Sequence, residues 1–133
     1  MKNARILVVD DEEDVRVILE AELSPEGFYV QMAADGEEAI DFLKREAFDL
    51  VILDIKMPKV DGFGVLRFIQ NSKEELINPK IKVIMLTGFG DLKNCCESKK
   101  LGARDMITKP YDLVDLLATI DRVLSEKEKV PAV

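Results

Sequence analysis

Short aliphatic runs alternate along the chain with longer segments in which apolar residues recur every three or four positions. The aliphatic runs show no polar alternation, which is typical of parallel strands buried on both faces. Strands are predicted at Arg5–Val9, Phe28–Met32, Leu50–Leu53, Ile81–Leu86 and Met106–Thr108. The third run stops on Asp54, and Pro58 and Asp61-Gly62 then turn the chain into a loop. The central strand therefore carries an acid at its carboxyl end.

The segments between and after the strands predict helices. Acids at 10–14 suit the amino end of the first helix, where the helix dipole favours negative charge. Asp35 and Glu38 have capping-box spacing at the start of the second, and the third is expected at Phe63–Gln70. The predicted inward faces are Val15, Ile18, Leu19 and Leu23 in the first helix, Ala39, Ile40, Leu43 and Ala47 in the second, Leu66 and Ile69 in the third, and Leu113, Leu116, Leu117, Ile120, Val123 and Leu124 in the last.

The fourth predicted helix, Asp91–Lys100, has only a thin apolar stripe formed by Leu92, Cys95 and Cys96. We expect it to be the least firmly packed helix, because a thin stripe buries little apolar surface. Low local stability suits an element that shifts between two states.

Five strands alternating with five helices predict a doubly wound α/β fold, in which a parallel sheet is covered on both faces. A length of 133 residues fits one domain. We expect this domain to span residues 1–126, with residues 127–133 forming a tail or the start of a linker.

The composition excludes several classes of function. The formal net charge of −7 argues against direct binding of nucleic acid by this domain. The chain has no histidine, so histidine-based metal sites and histidine-assisted nucleophiles are excluded. No apolar stretch approaches the roughly 20 residues needed to span a bilayer. Residues 1–5 lead directly into a strand rather than a signal peptide, so a cytoplasmic location is expected.

The candidate chemistry lies where the predicted strands end: Asp10 and Asp11 follow the first, Asp54 the third, Thr87 the fourth and Lys109 the fifth. In a doubly wound sheet these carboxyl ends open on one edge. If the first and third strands are neighbours, the three acids converge there. Two carboxylates about 4 Å apart repel by about 4 kcal/mol at an effective dielectric near 20. Three together need protons or a cation, and a set of oxygen ligands favours Mg²⁺.

Taken together, these residues resemble a response-regulator receiver domain, and the resemblance covers about Ile6 to Leu124. It rests on Asp10-Asp11, on Asp54 followed by Ile55-Lys56-Met57-Pro58 and Asp61-Gly62, on Thr87-Gly88, and on Lys109-Pro110. The resemblance implies a flavodoxin-like sheet of strand order 2-1-3-4-5. It also implies that Asp54 accepts a phosphoryl group from a sensor histidine kinase or a phosphotransfer protein, and that the domain then switches a downstream protein or an effector domain.

The resemblance further implies a role for each residue of the site. Asp11, Asp54 and the backbone carbonyl of Lys56 would bind Mg²⁺, with Asp10 holding the ion directly or through water. Lys109 would pair with a phosphoryl oxygen, while Thr87 and Gly88 would form the phosphate-binding switch. The Lys109–Pro110 peptide bond is expected to be cis.

Three positions carry further expectations. Met106 stands where the family usually has an aromatic residue that moves with the threonine, so we expect core filling there and an altered readout on the fifth strand. Phe89 is expected to impede water attack on the aspartyl phosphate, and Lys56 to modulate its lifetime. Either could instead be a neutral rim residue. By analogy with the family, the fourth helix, fifth strand and last helix would form the output face.

Two other functions remain open at this stage. A Mg²⁺-dependent phosphatase with an aspartate nucleophile would need a second acid two residues after Asp54, where this chain has Lys56. A phosphorylation-independent binding module would not need the complete acceptor site. The leading hypothesis is a signalling switch, with no enzymatic activity beyond its own phosphorylation and dephosphorylation.

Overall fold

Five parallel strands form one sheet, in the order β2-β1-β3-β4-β5. The computed structural model describes residues 3–88 and 92–126, without the side chains of 92–95. The strands are β1 (Arg5–Val9), β2 (Tyr29–Ala33), β3 (Leu50–Asp54), β4 (Lys82–Thr87) and β5 (Asp105–Thr108). The predicted fold class and strand order are confirmed, and the second, fourth and fifth strands each begin one residue from the predicted start.

Helices cover both faces of this sheet, which explains why the strands lack polar alternation. The helices are α1 (Glu13–Leu23), α2 (Gly36–Arg45), α3 (Gly62–Asn71), α4 (Leu92–Lys100) and α5 (Leu113–Ser125). One core joins Leu7 and Val9 of β1 to α2 and α3. The other joins Ile6 and Val8 to α1 and α5. All five residues of β3 are buried, so the central strand is enclosed from both sides.

Side chains at the helix starts fix where the chain turns back toward the sheet. The Asp35 carboxylate accepts a hydrogen bond from the Glu38 amide at 2.8 Å, as the capping-box spacing predicted. Asp61 caps α3 in the same way through the Gly64 amide at 2.9 Å. A Cβ at Gly62 would lie 2.3 Å from the Asp54 carbonyl oxygen, so only glycine lets α3 begin this close to β3.

The predicted inward faces of α1, α2 and α5 were too wide. Ile18 is 53% exposed, because α1 turns Leu19 and Leu23 toward the sheet and leaves Ile18 at the side of the helix. Ala47 is exposed because α2 ends at Arg45 and the chain is already extended at Glu46. Leu113 is also exposed, at the first turn of α5.

Helix α4 differs from the predicted stripe. Cys96 is exposed, whereas Ser98 is 1% exposed and its hydroxyl oxygen has no hydrogen-bond partner among the described residues. The side chains of Leu92 and Cys95 lie outside the described residues, and so does Asp91. Weak packing of α4 therefore stays a prediction. No helix in the described ranges combines the length and apolar content needed to cross a membrane.

Candidate functional site

The carboxyl ends of β1 and β3 place two acids side by side. Val9 of β1 pairs with Leu53 of β3 in parallel register, and each of these residues is followed directly by an acid, Asp10 or Asp54. Asp10 is fully buried and Asp54 is 6% exposed. Two of the three acids expected to converge, Asp10 and Asp54, therefore lie at this edge of the sheet, whereas Asp11 is exposed.

Among the described residues, Asp10 accepts three hydrogen bonds, and its backbone amide donates a fourth to the Ala33 carbonyl at 3.2 Å. One of its carboxylate oxygens accepts the Glu12 amide at 2.9 Å, and the other accepts the Lys109 ammonium at 2.8 Å. Its backbone carbonyl accepts Nη1 of Arg16 at 2.8 Å. Both carboxylate oxygens of Asp10 are engaged, so its main contribution in this arrangement is to fix the turn between β1 and α1 and to orient Lys109.

Lys109 bridges the two buried acids. Its Nζ lies 2.8 Å from Oδ2 of Asp10 and 3.5 Å from Oδ1 of Asp54. Burial alone would lower the pKa of Lys109. The hydrogen bond to Asp10 and the attraction of Asp54 outweigh it and raise the pKa above its ordinary value. The backbone amide of Lys109 donates to the Thr87 carbonyl at 2.7 Å, and the Lys109–Pro110 bond is cis, as the resemblance implied.

Asp54 is an acid whose charge is only partly compensated. Burial, together with the negative charges of Asp10 and Asp11, raises the pKa of Asp54 from 3.8 to about 6 against the opposing effect of Lys109. Among the described residues, Lys109 thus bridges the carboxylates of Asp10 and Asp54, and the negative charges of Asp11 and Glu12 also act at this edge. A hard cation would supply the missing positive charge.

The oxygen donors available to a cation include one that the sequence reasoning missed. Carboxylate oxygens of Asp10, Asp11 and Glu12 all lie within 4.8 Å of one another. Asp54, expected as a ligand, is not part of this group. Glu12 belongs to the acidic run 10–14, which was interpreted only as a helix start, so its position after the acid pair was the available signal. The all-carboxylate donor set fits Mg²⁺.

An open groove extends from Asp11 along the loop that follows β3. Lys56, Met57 and Asp61 line it together with Asp11. The Lys56 side chain is exposed at this groove, close in sequence to Asp54. The roles expected for its backbone carbonyl and its side chain stay predictions.

The end of β4 supplies the remaining expected residues. Thr87 is 4% exposed and pairs in register with Thr108. Gly88 is exposed, and a Cβ there would meet no atom of the described residues within 4 Å. Met106 is partly buried, packs against the core on the α2 and α3 side, and pairs with Met85. This contact agrees with core filling. Phe89 lies outside the described residues.

A family model and two relatives of known sequence match most of this chain. A family model described as the response regulator receiver domain matches residues 6–121. The chain is 42% identical over 125 residues to the probable transcriptional regulator ycf27 of Guillardia theta, covering 94% of this chain and 47% of that protein. It is 35% identical over 127 residues to sporulation initiation phosphotransferase F of Bacillus subtilis, covering 96% and 98% of the two chains. The chain therefore spans about half the length of the ycf27 relatives that it matches.

Solved structures show the same fold. The chemotaxis protein CheY4 of Vibrio cholerae matches with a TM-score of 0.82 at 30% identity, covering 91% of this chain and 98% of that one. A response regulator receiver domain protein from Clostridium thermocellum matches with a TM-score of 0.80 at 36% identity, covering 91% and 94%.

Proposed function

The chain belongs to the response-regulator receiver-domain family, and on that premise we propose that Asp54 is its phosphoacceptor. As a receiver domain of two-component signalling it is a switch. The observation that supports Asp54 most directly is its burial at the end of β3, 3.5 Å from Lys109, beside the acid pair Asp10-Asp11.

In the proposed reaction, an oxygen of the ionised Asp54 carboxylate attacks the phosphorus of a phosphohistidine. The new O–P bond forms as the P–N bond breaks, and the departing imidazole nitrogen keeps the electron pair and takes a proton from water. With a pKa of about 6, Asp54 is mostly ionised at neutral pH and therefore competent to attack. A carboxylate is a weak nucleophile, so the rate depends on positioning and on charge neutralisation.

The neighbouring residues would supply that neutralisation. Asp11, Asp54 and the Lys56 carbonyl would hold Mg²⁺, with Asp10 and Glu12 completing the acidic surroundings. When bound, Mg²⁺ neutralises charge on the phosphoryl oxygens. Lys109 already places an ammonium beside Oδ1 of Asp54, where it would pair with a phosphoryl oxygen.

The residues at the end of β4 would detect the phosphoryl group. Thr87 would donate its hydroxyl to a phosphoryl oxygen, and Gly88, where a Cβ would meet no atom of the described residues within 4 Å, would leave room for the group. Lys56 and Phe89 would set the lifetime of the aspartyl phosphate. Met106 has no ring that could alternate between two positions, so the response on β5 would differ from that of aromatic-bearing receivers.

The proposed partners follow from the relatives. The phosphodonor would be a sensor histidine kinase or a phosphotransfer protein, which agrees with the expected cytoplasmic location. The ycf27 relatives are about twice as long and are named transcriptional regulators, whereas phosphotransferase F has nearly the length of this chain. The output would accordingly be either a further domain or a separate protein.

Incubation with acetyl phosphate and Mg²⁺, followed by intact-protein mass spectrometry, tests the proposal. We expect a mass gain of one phosphoryl group that is lost in Asp54→Asn and kept in Asp41→Asn, where the replaced acid is exposed on α2. A gain that persists in Asp54→Asn contradicts the assignment. Continuous hydrolysis of a phosphoester that depends on Asp54 would indicate a phosphatase instead. No modification at all would indicate a binding module that works without phosphorylation.

A further inference from the structure

A second concave site lies at the opposite edge of the sheet, where β4 and β5 begin. The groove has a volume of about 730 Å³ and is lined in part by Lys73, Lys80, Lys99 and Arg104. Lys80 precedes β4 and Arg104 precedes β5, while Lys99 belongs to the last turn of α4. Four cations from four separate segments therefore converge on one groove, in a chain whose net charge is −7.

Several polar groups of this groove have no partner within the described residues. The Lys99 ammonium, the Arg104 guanidinium and the Gln70 amide make no hydrogen bond or ion pair with them. Glu126 is the acid among the described lining residues. The groove thus offers donors of Lys99, Arg104 and Gln70 that have no partner among the described residues, and its described lining contains four cationic side chains and one acid.

The position of the Gln70 side-chain amide depends on the backbone conformation of Gly102. Gly102 has a φ of +94°, and a Cβ there would lie 2.4 Å from Nε2 of Gln70. Glycine at this position lets the amide lie directly against the backbone at the groove. The apolar residues Ile81 and Ala103 also line it, and both are mostly buried.

We propose that this groove binds a small phosphorylated anion, of the class of a nucleoside diphosphate or pyrophosphate. The guanidinium of Arg104 can form paired hydrogen bonds to phosphate oxygens, and lysines add point charges. A concave volume of this size falls in the range of small-molecule sites, which favours a small ligand over an acidic protein surface. This site is separate from the acidic edge, so the proposal stands independently of phosphorylation at Asp54.

The test is an NMR titration of the ¹⁵N-labelled chain with ADP and with pyrophosphate, at constant ionic strength and without divalent ions. We expect saturable shifts of the backbone amides of Gln70, Gly102 and Arg104. Tighter binding of ADP than of pyrophosphate assigns a contribution to the nucleoside, and equal binding assigns recognition to the phosphates. Both results support the proposal.

A matched pair of double variants separates specific contacts from net charge. Lys99→Ala with Arg104→Gln should raise the Kd about tenfold or more, because charged hydrogen bonds are lost. The control, Lys100→Ala with Arg67→Gln, removes the same charge from exposed positions that do not line the groove. Because Lys100 lies in the last turn of α4, as Lys99 does, the control loses the same favourable interaction of a lysine with the helix dipole.

Three results would overturn the proposal. The first is the absence of saturable shifts with both phosphates. The second is an equal loss of binding in the two double variants, which would reduce the effect to net charge. The third is tighter binding of a polyglutamate peptide than of either phosphate, which would make the groove a protein-docking surface.

Discussion

Replacing Asp54 with Asn should stabilise the protein at neutral pH, by an amount that depends on pH. The carboxylate is 6% exposed at the end of β3 and feels the negative charges of Asp10 and Asp11. Its pKa is about 6 in the folded chain, against 3.8 for an ordinary aspartate. The folded protein therefore holds this proton more tightly than the unfolded chain does.

The sign of the effect follows from this difference. Stability associated with the protonated carboxyl is fully present below about pH 4 and is lost as the pH rises through about 6. A pKa difference of about 2 corresponds to about 3 kcal/mol, which is an upper value for the penalty at neutral pH. Asparagine does not ionise, so it avoids the penalty at every pH. Lys109 stays charged across this range, because its pKa is raised, and it adds no pH dependence there.

Urea unfolding of both proteins between about pH 4 and pH 7, without divalent ions, measures the effect. We expect the free energy of unfolding of Asp54→Asn, relative to the parent chain, to grow by about 2–3 kcal/mol over that range. Asp41→Asn, at an exposed acid of α2, should run parallel to the parent. A difference that is constant with pH, or that shrinks as pH rises, would refute the uncompensated charge at this site.

Three further predictions concern metal binding and packing. Mg²⁺ at ten times its Kd should raise the free energy of unfolding of the parent by about 1.4 kcal/mol. The same concentration should raise it little in Asp11→Asn, and an equal increase in both proteins would contradict a role for Asp11 in binding the ion. Lys82→Met should lower the free energy of unfolding by about 1–3 kcal/mol, because Nζ of Lys82 donates to the carbonyls of Val123 and Leu124 at 2.9 and 3.3 Å. An unchanged urea midpoint would show that these hydrogen bonds do not stabilise the end of α5. Gly62→Ala should lower the thermal midpoint although alanine favours helix, because its Cβ would meet the Asp54 carbonyl oxygen at 2.3 Å; a raised midpoint would mean that α3 can shift at no penalty.

Part of the site could be predicted because strand ends are visible in the sequence. An aliphatic run that stops on Asp54, and another that stops on Asp10-Asp11, place acids at one edge of any parallel sheet. The strand order, which brings β1 next to β3, came from the resemblance to a family rather than from the pattern. Glu12 was missed because an acid in the first turn of a helix already has an ordinary explanation.

Helix faces were predicted less well than strands. Periodicity gives the direction of an apolar face, whereas its width depends on how closely the neighbouring elements approach. Ile18 is apolar and correctly spaced, yet it is 53% exposed at the side of α1. On α4, Cys96 is exposed and Ser98 is buried, an arrangement that polarity alone would have reversed.

By itself, the sequence determined the alternation of buried strands with helices, and it also placed the acids and the lysine at the strand ends. The reason is that a strand buried on two faces needs an unbroken aliphatic run, so polar residues follow only where the strand stops. Only the tertiary structure decided which groups meet. The contacts of Asp10 with Arg16 and Lys109, and the meeting of Gln70, Lys99 and Arg104 at the opposite edge, join residues from separate elements. Such contacts depend on how the helices pack against the sheet, and no local pattern of residues encodes the distance between side chains of separate elements.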